Sequence, residues 1–354
     1  MAMALPYASA AAPSACNLAA RADPLQYVGV DWSSVLVEER DYGVVYKDSQ
    51  SAEKPLETIL AEAGVNMVRQ RVWTVAGDYG LEYNLQLARR AIAAGLMFGL
   101  NLHYSDSWTN PDNQTIPTGW PEDIDSLERQ LYNYTADVCE TFAAEGLYPT
   151  TITIGNEISA GMLWPTGHYD HPENLARLLR TAASAVRSSS LGGHTKVVTH
   201  LAHGADSDHQ HWLYNLVLDT GYLALEDWDV MAVSAYPFWG EYATMDALSQ
   251  SLGSLVSQYG KEVQVVETNW PTQCTNPTYP FPDDQRDIPF SPAGQTEYLR
   301  RLASTLKAIP GVTGLNYWEP AWIHNAVLGS PCESNVMFNP NGQAYDSVSV
   351  FASL

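Results

Sequence analysis

Basic residues are scarce in this 354-residue chain: 18 Lys and Arg stand against 40 Asp and Glu, a formal net charge of -22. An exterior that negative repels phosphate backbones and anionic lipid, which argues against nucleic acid or a membrane surface as partner. No apolar run approaches the ~20 residues that a membrane-spanning helix needs. Charged residues make up only 16% of the chain and hydrophobic ones 45%, which excludes a disordered polyelectrolyte and allows a large core. No linker-like stretch divides the sequence, so one large domain is expected over residues 23–354. Residues 1–22, rich in Ala and Ser with no basic residue before Arg21, read as a leader or a signal-peptide remnant, Ala8-Ser9-Ala10 offering the small residues of a cleavage site.

Cysteine is also sparse. Four residues permit three pairings; Cys274 and Cys332 both fall in Pro/Gly/Asn/Ser-rich loops and suit a disulfide, Cys139 lies in a helical stretch and suits a buried thiol, and Cys16 belongs to the leader. The sequons at Asn113 and Asn133 fit secretion to the extracellular space with glycosylation at both. His103, His200 and His324 lack the local spacing of metal ligands, so neither metal nor cofactor is expected. What the chain does have is aromatic surface: 11 Trp and 20 Tyr. About half are expected in the core, leaving flat faces such as Trp108 and Trp239 on which sugar rings can lie.

Eight short apolar runs, all but 196–201 ending in a polar or aromatic residue, read as buried strands: 27–31, 66–73, 96–103, 151–157, 196–201, 230–236, 263–267 and 312–319. Amphipathic helical patterns separate them at 56–63, 85–94, 126–144, 174–188, 245–259 and 296–309. This alternation predicts an α/β fold, a single-domain (β/α)₈ barrel. The longest irregular segments, 105–123, 159–172 and 268–291, all follow strands, so extended loops crowd the C-terminal face where this fold places its sites.

Glu157 and Glu267 end the fourth and seventh runs, on one face and across the barrel mouth. Glycoside hydrolysis needs such a pair, one carboxyl to protonate the leaving oxygen and one to attack the anomeric carbon. Asn156 can bind a sugar 2-hydroxyl, Arg71 and Tyr236 are expected beside Glu267, and Trp318 and Glu319 offer a ring platform and an acceptor. Asp31, His103, Asp106 and Asn269, also at strand ends or just beyond, complete the expected substrate-binding set.

In Gly29-Val30-Asp31-Trp32-Ser33-Ser34, Val68-Arg69-Gln70-Arg71-Val72-Trp73, His103-Tyr104-Ser105-Asp106, Ile154-Gly155-Asn156-Glu157, Val266-Glu267-Thr268-Asn269-Trp270-Pro271 and Tyr317-Trp318-Glu319-Pro320, the chain resembles glycoside hydrolase family 53, the endo-β-1,4-galactanases of clan A, and fungal members most. The resemblance runs from about Tyr27 to Leu354. It implies retention, with Glu157 as acid/base and Glu267 as nucleophile, and a monomer acting on the β-1,4-galactan of pectin. It also implies the Cys274–Cys332 disulfide. Bacterial relatives hold calcium near that disulfide, but this chain lacks an Asp-rich cage there. The chain departs from the family at His200-Leu201-Ala202-His203-Gly204-Ala205-Asp206-Ser207, where an acidic group and two indoles are usual; weaker remote subsites are expected. Two other readings stay open: another clan A β-1,4-glycanase, a glucanase or mannanase, and a non-catalytic carbohydrate-binding barrel.

Overall fold

In a computed structural model, which describes residues 24–354, the eight apolar runs close into one parallel barrel. In chain order the elements are β1 (Tyr27–Asp31), α1 (Val35–Tyr42), α2 (Leu56–Glu62), β2 (Met67–Val72), α3 (Leu81–Ala93), β3 (Met97–Leu102), α4 (Ile124–Ala144) and β4 (Thr151–Ile154). There follow α5 (Pro172–Ser188), β5 (Lys196–Leu201), α6 (Ser207–Leu218), β6 (Val230–Ser234), α7 (Met245–Tyr259), β7 (Glu262–Glu267), α8 (Pro292–Lys307) and β8 (Val312–Tyr317). Each strand pairs with the next and β1 pairs with β8, so no sheet edge is left open. The strands are buried almost throughout because one face fills the barrel and the other lies under helices. The expected leader, with Cys16, lies outside the described residues.

Two helices were not legible as amphipathic patterns, for one reason. In α6 the inward stripe is Gln210, Leu213, Tyr214 and Val217, and its first member is polar: Gln210 Nε2 donates to the carbonyls of Ala202 (2.7 Å) and His203 (3.2 Å). In α1 the buried positions are Val35 and Glu38, the latter bound to His324. A buried polar residue with its own partner breaks the apolar period without breaking the helix. Several strands also end sooner than their sequence runs: β4 stops at Ile154, β6 at Ser234 and β8 at Tyr317. The polar residues beyond leave the ladder and turn toward the barrel mouth.

No α-helix follows β8. A 3₁₀ segment, Asp346–Ser353, buries Val348, Val350 and Phe351, and Ser347 Oγ donates to Gln295 of α8 at 2.8 Å. Its backbone lies so close to Gly64 (φ +96°) that a Cβ there would sit 2.4 Å from Ala352 Cα, so only glycine fits.

Cys274 and Cys332 are joined, tying the loop after β7 to the chain after β8 across 58 residues. Cys139 is a buried free thiol in α4, and burial pushes its pKa up to about 11. By loop-closure entropy, Cys274→Ala should lower unfolding free energy by about 2 to 4 kcal/mol in chemical denaturation. No helix among the described residues is long and apolar enough to cross a membrane, and no group of three or more His, Cys, Asp or Glu among them could hold a metal ion. Asn133 is exposed on α4, whereas Asn113 is half-buried, its Nδ2 donating to the Trp108 carbonyl at 2.9 Å.

Candidate active site

Side chains two apart on a strand share a face, so Arg69 and Arg71 of β2 both point into the barrel, and both are buried. Register places Asp31 of β1 opposite Arg69. Arg69 Nη1 lies 2.9 Å from Asp31 Oδ2 and 2.7 Å from Glu267 Oε1; its Nη2 lies 3.2 Å from Asn156 Oδ1 and 3.2 Å from His200 Nδ1. One guanidinium thus fastens groups from β1, β5, β7 and the turn after β4. The planar fork makes this possible; an ammonium presents no such divided geometry.

Glu267 ends β7 and is buried, with Arg69 on one oxygen and the Tyr236 hydroxyl donating to the other at 2.9 Å. Burial, then the charges of Glu267 and Glu157, hold the Tyr236 phenol well above its ordinary pKa, so it keeps the proton it donates. Both contacts stabilise and aim the Glu267 anion.

Glu157 is reached by a sharp turn out of β4. Gly155 takes φ 104° and Glu157 itself φ 48°, a left-handed conformation that a glutamate adopts only where its surroundings insist. Here Gln114 Nε2 donates to the carbonyls of Asn156 (2.8 Å) and Glu157 (3.2 Å), and Ile158 N donates to the His200 carbonyl at 2.9 Å. Burial first, and then the negative charge of Glu267, pushes the Glu157 carboxyl up to about 8, against the opposing pull of Ser234 and Arg69. Burial likewise raises Asp31 to about 7, with Arg69 opposing. His103 and His200 are held well below their ordinary range, by burial and by the adjacent arginine charge. A neutral His200 accepting from Arg69 at Nδ1 has its proton at Nε2, for the Ser234 hydroxyl 2.9 Å away. Two carboxyls in one cleft with environments this different can serve opposite proton roles.

A second ion pair lies beneath an aromatic wall. Arg71 Nη1 contacts Glu319 Oε1 at 2.5 Å, and Ser34 Oγ donates to Glu319 Oε2 at 2.6 Å. The rings of Tyr79, Trp108 and Trp322 surround the Arg71 guanidinium at 4.1, 4.4 and 4.8 Å, so the cation is held partly by π faces. Trp318 meets Trp108 edge-on at 5.9 Å. The cleft so formed has a volume of about 670 Å³ and is lined by both glutamates, Arg69 and Trp108 among others.

The profile of glycosyl hydrolase family 53 matches residues 27–351. An arabinogalactan endo-β-1,4-galactanase of Humicola insolens is 54% identical over 329 residues, covering 92% of this chain and 99% of its own length. The chain belongs to glycosyl hydrolase family 53. A solved fungal β-1,4-galactanase aligns with a TM-score of 0.92 at 54% identity, covering 93% of this chain and 100% of that one. A family 53 catalytic domain of Ignisphaera aggregans aligns with a TM-score of 0.80 at 30% identity, covering 93% and 96%.

Within this family 53 barrel, Asp31, Arg71, His103, Trp108, Asn156, Tyr236, Trp239 and Trp318 line the cleft together with Glu157 and Glu267. Three other expected residues do not. Asp106 accepts from Thr74 Oγ1 (2.5 Å) and Thr118 N (2.7 Å), which lowers its pKa and braces the loop after β3. Asn269 is buried and donates to the Trp318 carbonyl at 2.8 Å, and Glu319 is buried behind Arg71. A further correction concerns Arg71, expected beside Glu267: that place belongs to Arg69, and Arg71 serves Glu319. Alternation in Val68-Arg69-Gln70-Arg71 gives both arginines one face, but which of them stands level with Asp31 is set by the β1–β2 register. His203, Tyr242 and Tyr279 also line the cleft; they lie in loops, where sequence offers no periodicity to read.

Proposed function

We propose that this chain is a retaining endo-glycosidase that cuts internal β-1,4-galactosidic bonds of galactan, the polymer of pectin side chains, with Glu157 as general acid/base and Glu267 as nucleophile. The observation that carries the reading is the contrast within one cleft: Glu267 fixed by Arg69 and Tyr236, and Glu157 pushed up to about 8. In the first step Glu157 gives its proton to the glycosidic oxygen while Glu267 attacks the anomeric carbon. In the second, Glu157 takes a proton from water, which displaces Glu267 with a second inversion. In this reading Asn156, held through Oδ1 by Arg69 and Asn101 and through Nδ2 by Thr109, binds the 2-hydroxyl. The choice of galactan rests on the named relatives. Secretion fits the disulfide, which persists in oxidising compartments.

Digestion of linear β-1,4-galactan, with glucan, mannan and xylan alongside, tests the substrate; proton NMR of the nascent reducing ends tests the mechanism. Galacto-oligosaccharides released first as the β-anomer are expected. The α-anomer, or a crystal structure with the carboxyls ~6.5 to 9.5 Å apart instead of about 5 to 5.5 Å, would overturn retention.

Ala202 and Ala205 line the cleft with side chains too small to stack. Ala205 is only half-buried, so Ala205→Trp should fold and should lower KM for tri- and tetrasaccharides about threefold to tenfold, with kcat on polymer nearly constant. Steady-state kinetics on the two substrate lengths check this.

A further inference from the structure

All 11 tryptophans fall among the described residues, and two of them are exposed. Trp239, 37% exposed, lines the cleft; Trp212, 41% exposed, does not. An isolated exposed ring on a helix needs no explanation, but Trp212 is not isolated. Its indole lies 5.3 Å from the Tyr169 ring and 5.2 Å from His209. Tyr169 continues to His168 at 4.1 Å, and His168 to Trp164 at 5.1 Å. Five rings from α6 and the loop after β4 thus form a continuous row, none of them lining the cleft.

The row adjoins the cleft wall. His209 Nε2 is 3.1 Å from the Ser159 carbonyl, and Ser159 Oγ accepts from the backbone of Ala202, a wall residue, at 2.8 Å. One loop therefore separates the two surfaces. Indole and phenol rings present apolar faces to the CH faces of a sugar, while the imidazoles supply hydrogen-bonding nitrogens at the edges. A neutral glycan suits an exterior of charge -22, from which an anionic ligand is repelled.

From this row we infer a second carbohydrate-binding surface, centred on Trp212 and Tyr169, that holds a stretch of the β-1,4-galactan chain outside the cleft while another stretch is cut. The inference rests on the galactan reading of the cleft. Its effect is one of effective concentration: a polymer tethered on the flank re-enters the cleft more often than a free one, and an oligosaccharide too short to reach both surfaces gains nothing.

Trp212→Ala and Tyr169→Ala should fold, Trp212 being exposed and Tyr169 half-exposed, and thermal unfolding checks that they do. Electrophoresis in native gels containing linear β-1,4-galactan, in a Glu157→Gln background so that the polymer survives, reads binding. Loss of retardation is expected, with a rise in KM for long galactan of about threefold to tenfold and no change in kcat or KM for a tetrasaccharide. Undiminished retardation of both variants overturns the flank surface and leaves the cleft's substrate standing. Equal losses on polymer and tetrasaccharide also overturn it, because they assign the effect to the cleft. So does a wild-type sedimentation coefficient that falls in Trp212→Ala, because the face then pairs two copies of the chain. A wild-type chain that galactan neither retards nor feeds overturns the galactan reading and, with it, this inference.

Discussion

Glu157→Ala should lower turnover of galactan by ~10²- to 10⁴-fold, while hydrolysis of an aryl galactoside with a good leaving group falls far less. The difference arises because only the first substrate needs its leaving oxygen protonated. Rates measured on both substrates decide the matter; equal losses would remove Glu157 from the acid role. The pH profile follows with a definite sign. Burial and the charge of Glu267 push the Glu157 carboxyl up to about 8, so the acid is protonated below that value and lost above it. The alkaline limb of kcat/KM should therefore fall near pH 8, and Glu157→Ala should abolish that limb for the aryl substrate.

Arg69→Met should be the most damaging substitution in stability and activity together. It removes the cation between Asp31 and Glu267, at 2.9 and 2.7 Å, and leaves both carboxyls buried without it. Breaking a buried ion pair by deleting one partner costs about 3 to 5 kcal/mol. Loss of the Asn156 and His200 contacts frees the Glu157 turn as well, and misplacement of about 1 Å at a reacting centre is worth ~10²-fold in rate. Burial already holds Asp31 up near 7 with Arg69 opposing, so deleting the guanidinium raises it further. A carboxyl that binds its proton more tightly folded than unfolded makes folding less stable as pH rises between its two pKa values. The deficit of Arg69→Met relative to wild type should accordingly stay flat while both folded proteins keep Asp31 protonated and grow as pH rises above about 7, where only the wild-type carboxyl ionises. Denaturant titrations at several pH values measure it, and a constant deficit would show that the arginine acts by packing alone.

The barrel was legible because a strand buried on both faces writes itself as a short continuous apolar run, and eight such runs occur. Glu157 and Glu267 were legible as polar punctuation at the ends of two of them. Less of the surrounding network could be read. Glu38 and Gln210 occupy positions where a helix period calls for an apolar side chain, and their partners, His324 and the Ala202 carbonyl, lie far off in sequence or in an irregular loop. The division of labour between Arg69 and Arg71 depends on lateral register between β1 and β2, which a single strand does not encode. Nor does a strand pattern say that the polypeptide turns to positive φ at Gly155 and Glu157, which decides where the Glu157 carboxyl stands.

Closure of the sheet by pairing of β1 with β8 has a consequence for synthesis on the ribosome. Tyr27–Asp31 emerges well before its hydrogen-bonding partner Val312–Tyr317, so the growing polypeptide carries an unpaired edge until β8 has been made. Even after β8 emerges, the surfaces that receive Val348, Val350 and Phe351 stay wet until Asp346–Ser353 has left the exit tunnel. Closure of the barrel therefore waits for Val312–Tyr317 and Asp346–Ser353, and ribosome-bound nascent chains ending before residue 346 should remain open to proteases that the closed barrel resists.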